Sequence, residues 1–168
     1  LTYLYLWCRA NNLTDVKIDI DGSTVNIKSG DLFAESGFKV IPFNEYFDTI
    51  VDEKIIASSS LNGIYINEHL DISVQELNNH IIQNSLQEDI EDNNVVRRLG
   101  GNNVKFKIST IIVYKDFLLT AFAKFDEHNK AVLTMPEYLE FLINFWDRVN
   151  RVYAQRSVSV PIFGSGIT

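Results

Sequence analysis

Two stretches of this chain, Phe38-Lys39-Val40-Ile41-Pro42-Phe43-Asn44 and Phe117-Leu118-Leu119-Thr120-Ala121-Phe122-Ala123, string apolar residues together without polar alternation. A strand with one wet face alternates, whereas a run apolar at successive positions is covered on both faces. These runs therefore call for a sheet with helices packed on its faces. Pro42 should close the first run, because it cannot donate to a ladder. A further run from Val104 to Tyr114 joins the second through Lys115-Asp116, which reads as two paired strands in central positions.

The rest of the chain fits around that sheet. Val16, Ile18 and Ile20 alternate with polar residues, Asp21-Gly22-Ser23 turns, and Val25 and Ile27 resume. That is a hairpin with one buried face. Ser58 to Gly63 is a loop signal, followed by a small apolar run from Ile64 to Ile66. Ser73 with Glu76, and Thr134 with Glu137 and Pro136, have the spacing of capping boxes. The first should open a helix with Leu77, Ile81, Leu86 and Ile90 on one stripe. The second opens a helix over 134–155 that buries Leu139, Leu142, Ile143, Trp146, Val149 and Tyr153. Val158 to Phe163 reads as a last strand. The fold class is α/β, a mixed β-sheet flanked by helices.

With 168 residues and 46% hydrophobic content, one domain with a sizeable core is expected. The net charge of -7 argues against nucleic acid as a partner, since phosphate backbones are met by clustered Lys and Arg. Arg97-Arg98 is the only adjacent basic pair. Cys8 is the only cysteine, which excludes an intramolecular disulfide and points to a reducing compartment. His69, His80 and His128 lack metal-motif spacing, so no metal site is expected.

Leu1 to Cys8 is apolar and aromatic, closed by Arg9. Residues 1–12 form a lead-in, read either as a helix packed on the domain or as the end of a membrane helix; eight residues cannot span a bilayer alone. Residues 13–168 form the domain itself.

Chemistry concentrates at strand ends, where open α/β sheets place ligands. After the hairpin, Gly30-Asp31-Leu32-Phe33 permits a sharp turn and offers a carboxylate that could accept from an exocyclic amine, or simply cap the turn. After the buried run, Phe43-Asn44-Glu45-Tyr46-Phe47-Asp48-Thr49 offers Asn44 and Asp48 for ribose hydroxyls and Tyr46 or Phe47 for base stacking. The alternative is aromatic core with a polar turn. At the last strand, Phe163-Gly164-Ser165-Gly166-Ile167 permits positive φ and close backbone approach, as a phosphate loop or an ordinary connection would need.

Together these segments resemble the macro domain, in which a strand precedes Gly-Asp-[Ile/Leu], an apolar strand ends in Asn, and a glycine-containing phosphate loop follows later. The matching positions are Gly30-Asp31-Leu32, Val40 to Asn44, and Gly164-Ser165-Gly166-Ile167. The chain is most similar to the divergent macro-like domain of membrane-bound Thoeris antiphage effectors, with its GDLF-, FNEYFDT- and PxxGSGI-type segments. The resemblance implies a sensor that binds ADP-ribose or a derivative, including amino-acid conjugates such as histidine-ADP-ribose, made by a partner TIR-domain enzyme. It implies no further cofactor, and a cytoplasmic domain attached to the bacterial inner membrane through an N-terminal segment. It leaves self-association open, as well as continuation of the domain past Thr168.

Macro-domain hydrolases usually carry a glycine-rich stretch after the strand-end asparagine; Glu45-Tyr46-Phe47-Asp48 stands there instead. Binding without catalysis is therefore the leading expectation. The alternatives are an ADP-ribosyl hydrolase with Asp48 or Glu45 activating water, and a pure interaction module.

Overall fold

The computed structural model describes residues 2–11, 15–96, 100–126, 128 and 130–165. It divides into two compact units, Leu1–Ala34 and Glu35–Thr168.

The first unit holds a helix, α1 (Thr2–Asn11), and a hairpin of β1 (Asp15–Ile20) and β2 (Ser23–Lys28). Asp21 and Gly22 both take positive φ between the strands, as a two-residue hairpin turn requires. The expected buried face is absent, for every residue of both strands is exposed. A two-stranded ribbon has no second layer of its own against which to bury an alternating face. A single 3-10 turn, Leu32–Ala34, ends the unit.

The second unit is built on β3 (Phe38–Asn44). After it come α2 (Leu61–Ile64), which runs into one π-helical turn at Tyr65–His69, then α3 (Val74–Asn84). The strands β4 (Ile90–Asp92), β5 (Lys105–Phe106), β6 (Ile111–Tyr114), β7 (Phe117–Phe125) and β8 (Ala131–Val132) follow. The helix α4 (Met135–Val152) and the short β9 (Val158–Ser159) complete it. The main sheet runs β6-β7-β3-β9, with β8 paired to β7. β3 lies parallel to both β7 and β9, while β6 and β8 are antiparallel to β7. This is the mixed α/β sheet that the two apolar runs demand.

Pro42 sits inside β3 opposite Thr120, not at its end. The Phe38 N–H bonds to Ser157 on the β9 side and the Lys39 N–H to Asp116 on the β7 side. Alternation turns the Pro42 nitrogen toward the β9 side, beyond the two residues of β3 that β9 pairs, so no ladder bond is lost.

Side chains from the two faces of β3 enter different cores. Phe38 and Val40 join Leu118 and the α4 residues Phe141, Phe145 and Val149. On the opposite face Phe43 meets Phe47 and, edge-on, Tyr65. The α4 helix forms with both bonds of its capping box, but its buried stripe is Phe141, Phe145 and Val149. Leu139, Ile143 and Trp146, expected inside, are exposed. The helix carries two apolar stripes, and the sheet takes the phenylalanines, which bury more area and pack edge-on against Phe122 and Phe163.

Three further expectations need correction. The Ser73 helix stops at Asn84, leaving Leu86 exposed and Ile90 at the start of β4. Val104 to Tyr114 is broken into β5 and β6 around Ser109, which takes φ +75°, and β6 is an edge strand. The last strand has two residues rather than six.

Candidate functional site

β9 is a parallel neighbour of β3 but pairs only its first two residues, Phe38 and Lys39, so the chain leaving β9 continues in the direction in which β3 runs toward Asn44. At β3 the ladder skips a residue: Phe43 faces Ala121 and Asn44 faces Ala123, so Phe122 is bulged out. The chain then turns sharply. The Phe47 N–H bonds to the Asn44 carbonyl at 3.0 Å, and Phe47 takes φ +48°.

Side chains hold this turn from within. Asn44 Oδ1 accepts from the N–H groups of Tyr46 (3.0 Å) and Asp48 (3.2 Å), while its Nδ2 donates to Asp48 Oδ2 at 2.8 Å. Asp48 Oδ1 accepts the backbone N–H of Asn102 at 2.7 Å. Asn102 Nδ2 lies within donating distance of the carbonyls of Phe47 (2.9 Å) and Tyr46 (3.2 Å) and of Asn78 Oδ1 (3.3 Å). The Thr49 hydroxyl also donates to Asn78 Oδ1. Asn44 and Asp48, expected to face ribose, are both buried here, and these bonds organise the turn. Phe47 is fully buried against Phe43 and Phe106, so its ring is core rather than a stacking platform. Tyr46 is also largely buried but lines a small cleft.

Glu45, one residue into the turn, joins three elements. Its N–H donates to Ala123 and its carbonyl accepts from Phe106. Its Oε1 accepts from the Phe125 N–H at 3.1 Å. Oε2 has no hydrogen bond among the described residues and lies 3.6 Å from Lys105 Nζ. Burial pushes the Glu45 carboxyl above its ordinary range, against the opposing pull of the Phe125 N–H and the Lys105 charge.

Beyond β9, Phe163 inserts among Phe122, Phe141 and Phe145 with ring centroids 4.8–5.2 Å away. It anchors the segment in the core rather than presenting a ring to a ligand. Gly164 takes φ +78°. Among the described residues a Cβ there would come no closer than 4.0 Å, to Phe122, so the constraint they impose is conformational. The Ser165 hydroxyl donates to the Ile162 carbonyl at 2.7 Å. Gly166 and Ile167 lie outside the described residues.

Asp31, Leu32 and Phe33 belong to the first unit. Asp31 Oδ1 accepts from the Phe33 N–H at 2.9 Å, so it caps the 3-10 turn. The residue is exposed, and its Oδ2 makes no hydrogen bond among the described residues.

A cleft of about 810 Å³ lies between α4 and the β6–β7 edge. Its ions largely satisfy one another: Arg148 bonds Asp89 at 2.6 Å, Lys124 bonds Glu137 at 2.6 Å and Arg151 bonds Asp147 at 2.6 Å. Six of its charged side chains are taken up in these three pairs, while Glu88, Lys107 and Glu140 also line it. A smaller cleft of about 280 Å³ adjoins the β3 turn, lined by Tyr46, Asn78 and Asn102 among others. Asn78 and Asn102 were not foreseen from sequence. Gly100-Gly101-Asn102-Asn103 reads only as a turn, and nothing local says that its asparagine bonds a residue 54 positions earlier. Among the described residues no group of His, Cys, Asp and Glu could hold a metal.

A mixed sheet clothed by helices, with an asparagine-organised turn after one parallel strand and a glycine turn after its neighbour, defines a macro-type domain. A family model described as "Thoeris protein ThsA, Macro domain" matches residues 25–168, and the chain belongs to that family. It is 42% identical over 163 residues to the Thoeris protein ThsA of Bacillus amyloliquefaciens (strain Y2), covering 94% of this chain and 53% of the relative. The chain thus spans about half the length of that curated relative.

Proposed function

We propose that this domain is the sensor of a Thoeris defence effector, and that it binds an ADP-ribose-derived signal made by a partner TIR-domain enzyme. Membership of the ThsA macro-domain family supports the defence role and the ligand class. The observation that carries the reading is the pair of turns in the segments that follow two neighbouring parallel strands, one built by Asn44 to Asp48 and the other by Phe163 to Ser165. Strand ends of this kind are where open α/β sheets hold nucleotides. In a chain of net charge -7, a diphosphate is best met by backbone N–H groups, which the positive-φ turn at Gly164 can offer.

The domain binds its ligand without turning it over. Asp48 and Glu45, the carboxylates nearest the turn, are 0% and 2% exposed and engaged in internal contacts, which suits neither for activating a water. Membrane attachment of the effector is proposed from α1, where Tyr3, Leu4, Tyr5, Leu6 and Trp7 are all exposed. Among the described residues no helix is long and apolar enough to cross a membrane.

Thermal melting with ADP-ribose, AMP and ATP tests the reading, because a ligand that binds only the folded state raises the melting temperature. ADP-ribose or its conjugates should stabilise the chain more than AMP or ATP do. Equal effects from all of them would remove the proposal. Chromatography after prolonged incubation should return the ligand intact; turnover lost in Asp48→Ala would instead make the domain a hydrolase.

A further inference from the structure

One apolar face of α4 stands in water. Leu139, Ile143 and Trp146 are 53%, 72% and 52% exposed, and the half-buried Leu142 borders them. These four fall within about a third of the helix circumference, beside the face that Phe141, Phe145 and Val149 bury. The Trp146 ring is held edge-on against the buried Phe145 ring at 5.2 Å, so the stripe has a fixed anchor. A contiguous apolar face edged by charges marks an interaction surface.

The charges along one flank of the stripe say what covers it. Glu140 and Arg151 are both exposed and stand eleven residues, about three turns, apart, so they share one side of the helix. Asn144 and Asp147 lie between them on that side. Arg151 bonds Asp147 within the helix at 2.6 Å, yet its side chain is 72% exposed and its fork has donors left for a second carboxylate.

In a parallel pair of helices this flank would meet the opposite one, where Tyr138, Leu142 and Val149 are all neutral. In an antiparallel pair the flank meets itself reversed. With a two-fold axis beside Trp146, Glu140 of each copy faces Arg151 of the other, and Asp147 faces the neutral Asn144. Trp146 then meets its own counterpart at the centre, and Leu139 meets Tyr153. Sliding the register by about one turn sets Glu140 against Asp147, a like-charge contact, so the charges select one register.

We propose that the outer face of α4 is a homodimer interface, in which two copies pack their exposed stripes antiparallel about a two-fold axis at Trp146. Such an interface is isologous, so one surface supplies both halves of every contact. Trp is among the side chains that most often anchor an interface centre. Counting both copies, the face removes on the order of 1,000 Å² from water, the lower end of specific interfaces. The association is therefore micromolar rather than tight, and the dilute chain is monomeric with Ile143 in water. It needs no ligand and stands apart from the ADP-ribose reading.

The test is sedimentation velocity of the 168-residue chain from about 1 to 300 µM, a range in which a micromolar equilibrium shifts. Wild type should pass from monomer to dimer as concentration rises. Ile143→Glu places a charge in the apolar stripe and should keep the chain monomeric throughout. Glu140→Lys alone and Arg151→Glu alone should each weaken dimerisation at least about tenfold by setting like charges opposite, and the double variant should return to within about threefold of wild type. Cooperative melting at the lowest concentration checks that each variant is folded. A wild-type chain that stays monomeric throughout overturns the proposal, including the case in which another surface of the same chain covers the stripe. A dimer that Ile143→Glu leaves intact, or a double variant no better than the single ones, overturns it as well.

Discussion

The backbone N–H of Asn102 donates to the fully buried carboxylate of Asp48 at 2.7 Å, across 54 residues of sequence. That single bond ties a glycine-rich connection to the turn at the end of β3. The same carboxylate accepts from Asn44 Nδ2 through its other oxygen. Replacing Asp48 by Asn sets an NH₂ group against one of these two donors, and buried donors without acceptors each cost about 1–3 kcal/mol. Asp48→Asn should lower stability by that order despite its near-identical shape, and Asp48→Ala by more. Urea unfolding measures both; an unchanged midpoint for Asp48→Asn would show that the network does not hold the turn.

Glu45 gives a pH dependence of opposite sense to a surface ion pair. Burial raises its folded-state pKa above the ordinary 4.5, so the folded state favours the protonated form. Its contribution is fully present below the unfolded value and is lost as pH rises through the folded value. Glu45→Gln keeps an acceptor for the Phe125 N–H and carries no charge to desolvate. The stability difference, variant minus wild type, should therefore become more favourable to Glu45→Gln as pH rises from about 4.5 toward neutrality. A difference independent of pH would contradict this account.

The two apolar stripes of α4 are separable by truncation. Phe145 is fully buried, whereas Ile143 is 72% exposed. Phe145→Ala should cost about 3–5 kcal/mol and Ile143→Ala within about 0.5 kcal/mol. Comparable losses at both positions would reinstate the stripe that periodicity alone suggests.

Gly164 serves backbone conformation, since a Cβ would meet nothing closer than 4.0 Å among the described residues. Gly164→Ala should destabilise by about 1 kcal/mol through its positive φ and weaken ADP-ribose binding further by reshaping the turn. Calorimetry and melting of the same sample separate the two effects. Unchanged affinity would take this turn out of the ligand site.

These contrasts show what was legible in the sequence. The buried runs through β3 and β7 and both capping boxes declare their structure locally, because apolar continuity and the Ser/Thr-to-Glu spacing each have one main physical use. The motif segments around Asp31, Asn44 and Gly164 were visible as strand-end turns for the same reason. Which apolar stripe of α4 faces the sheet was not legible, because Phe145 and Trp146 are both hydrophobic and only the partner surface chooses between them. Asn44 and Asp48 were readable as a polar pair, but whether they bond a ligand or each other depends on a loop 54 residues away. Pro42 looked like a terminator because it cannot donate to a ladder; it sits inside β3 because pairing on the β9 side ends before it, a fact of topology that no local rule contains.

The central claim is a binding site for ADP-ribose and its conjugates that leaves the nucleotide unchanged. Isothermal titration of the 168-residue chain, with the ligand recovered and chromatographed afterwards, tests both halves in one sample. The account predicts saturable binding at one site per chain and recovery of intact nucleotide. Absence of binding by ADP-ribose and all its conjugates, or steady conversion of the ligand during the titration, would contradict it.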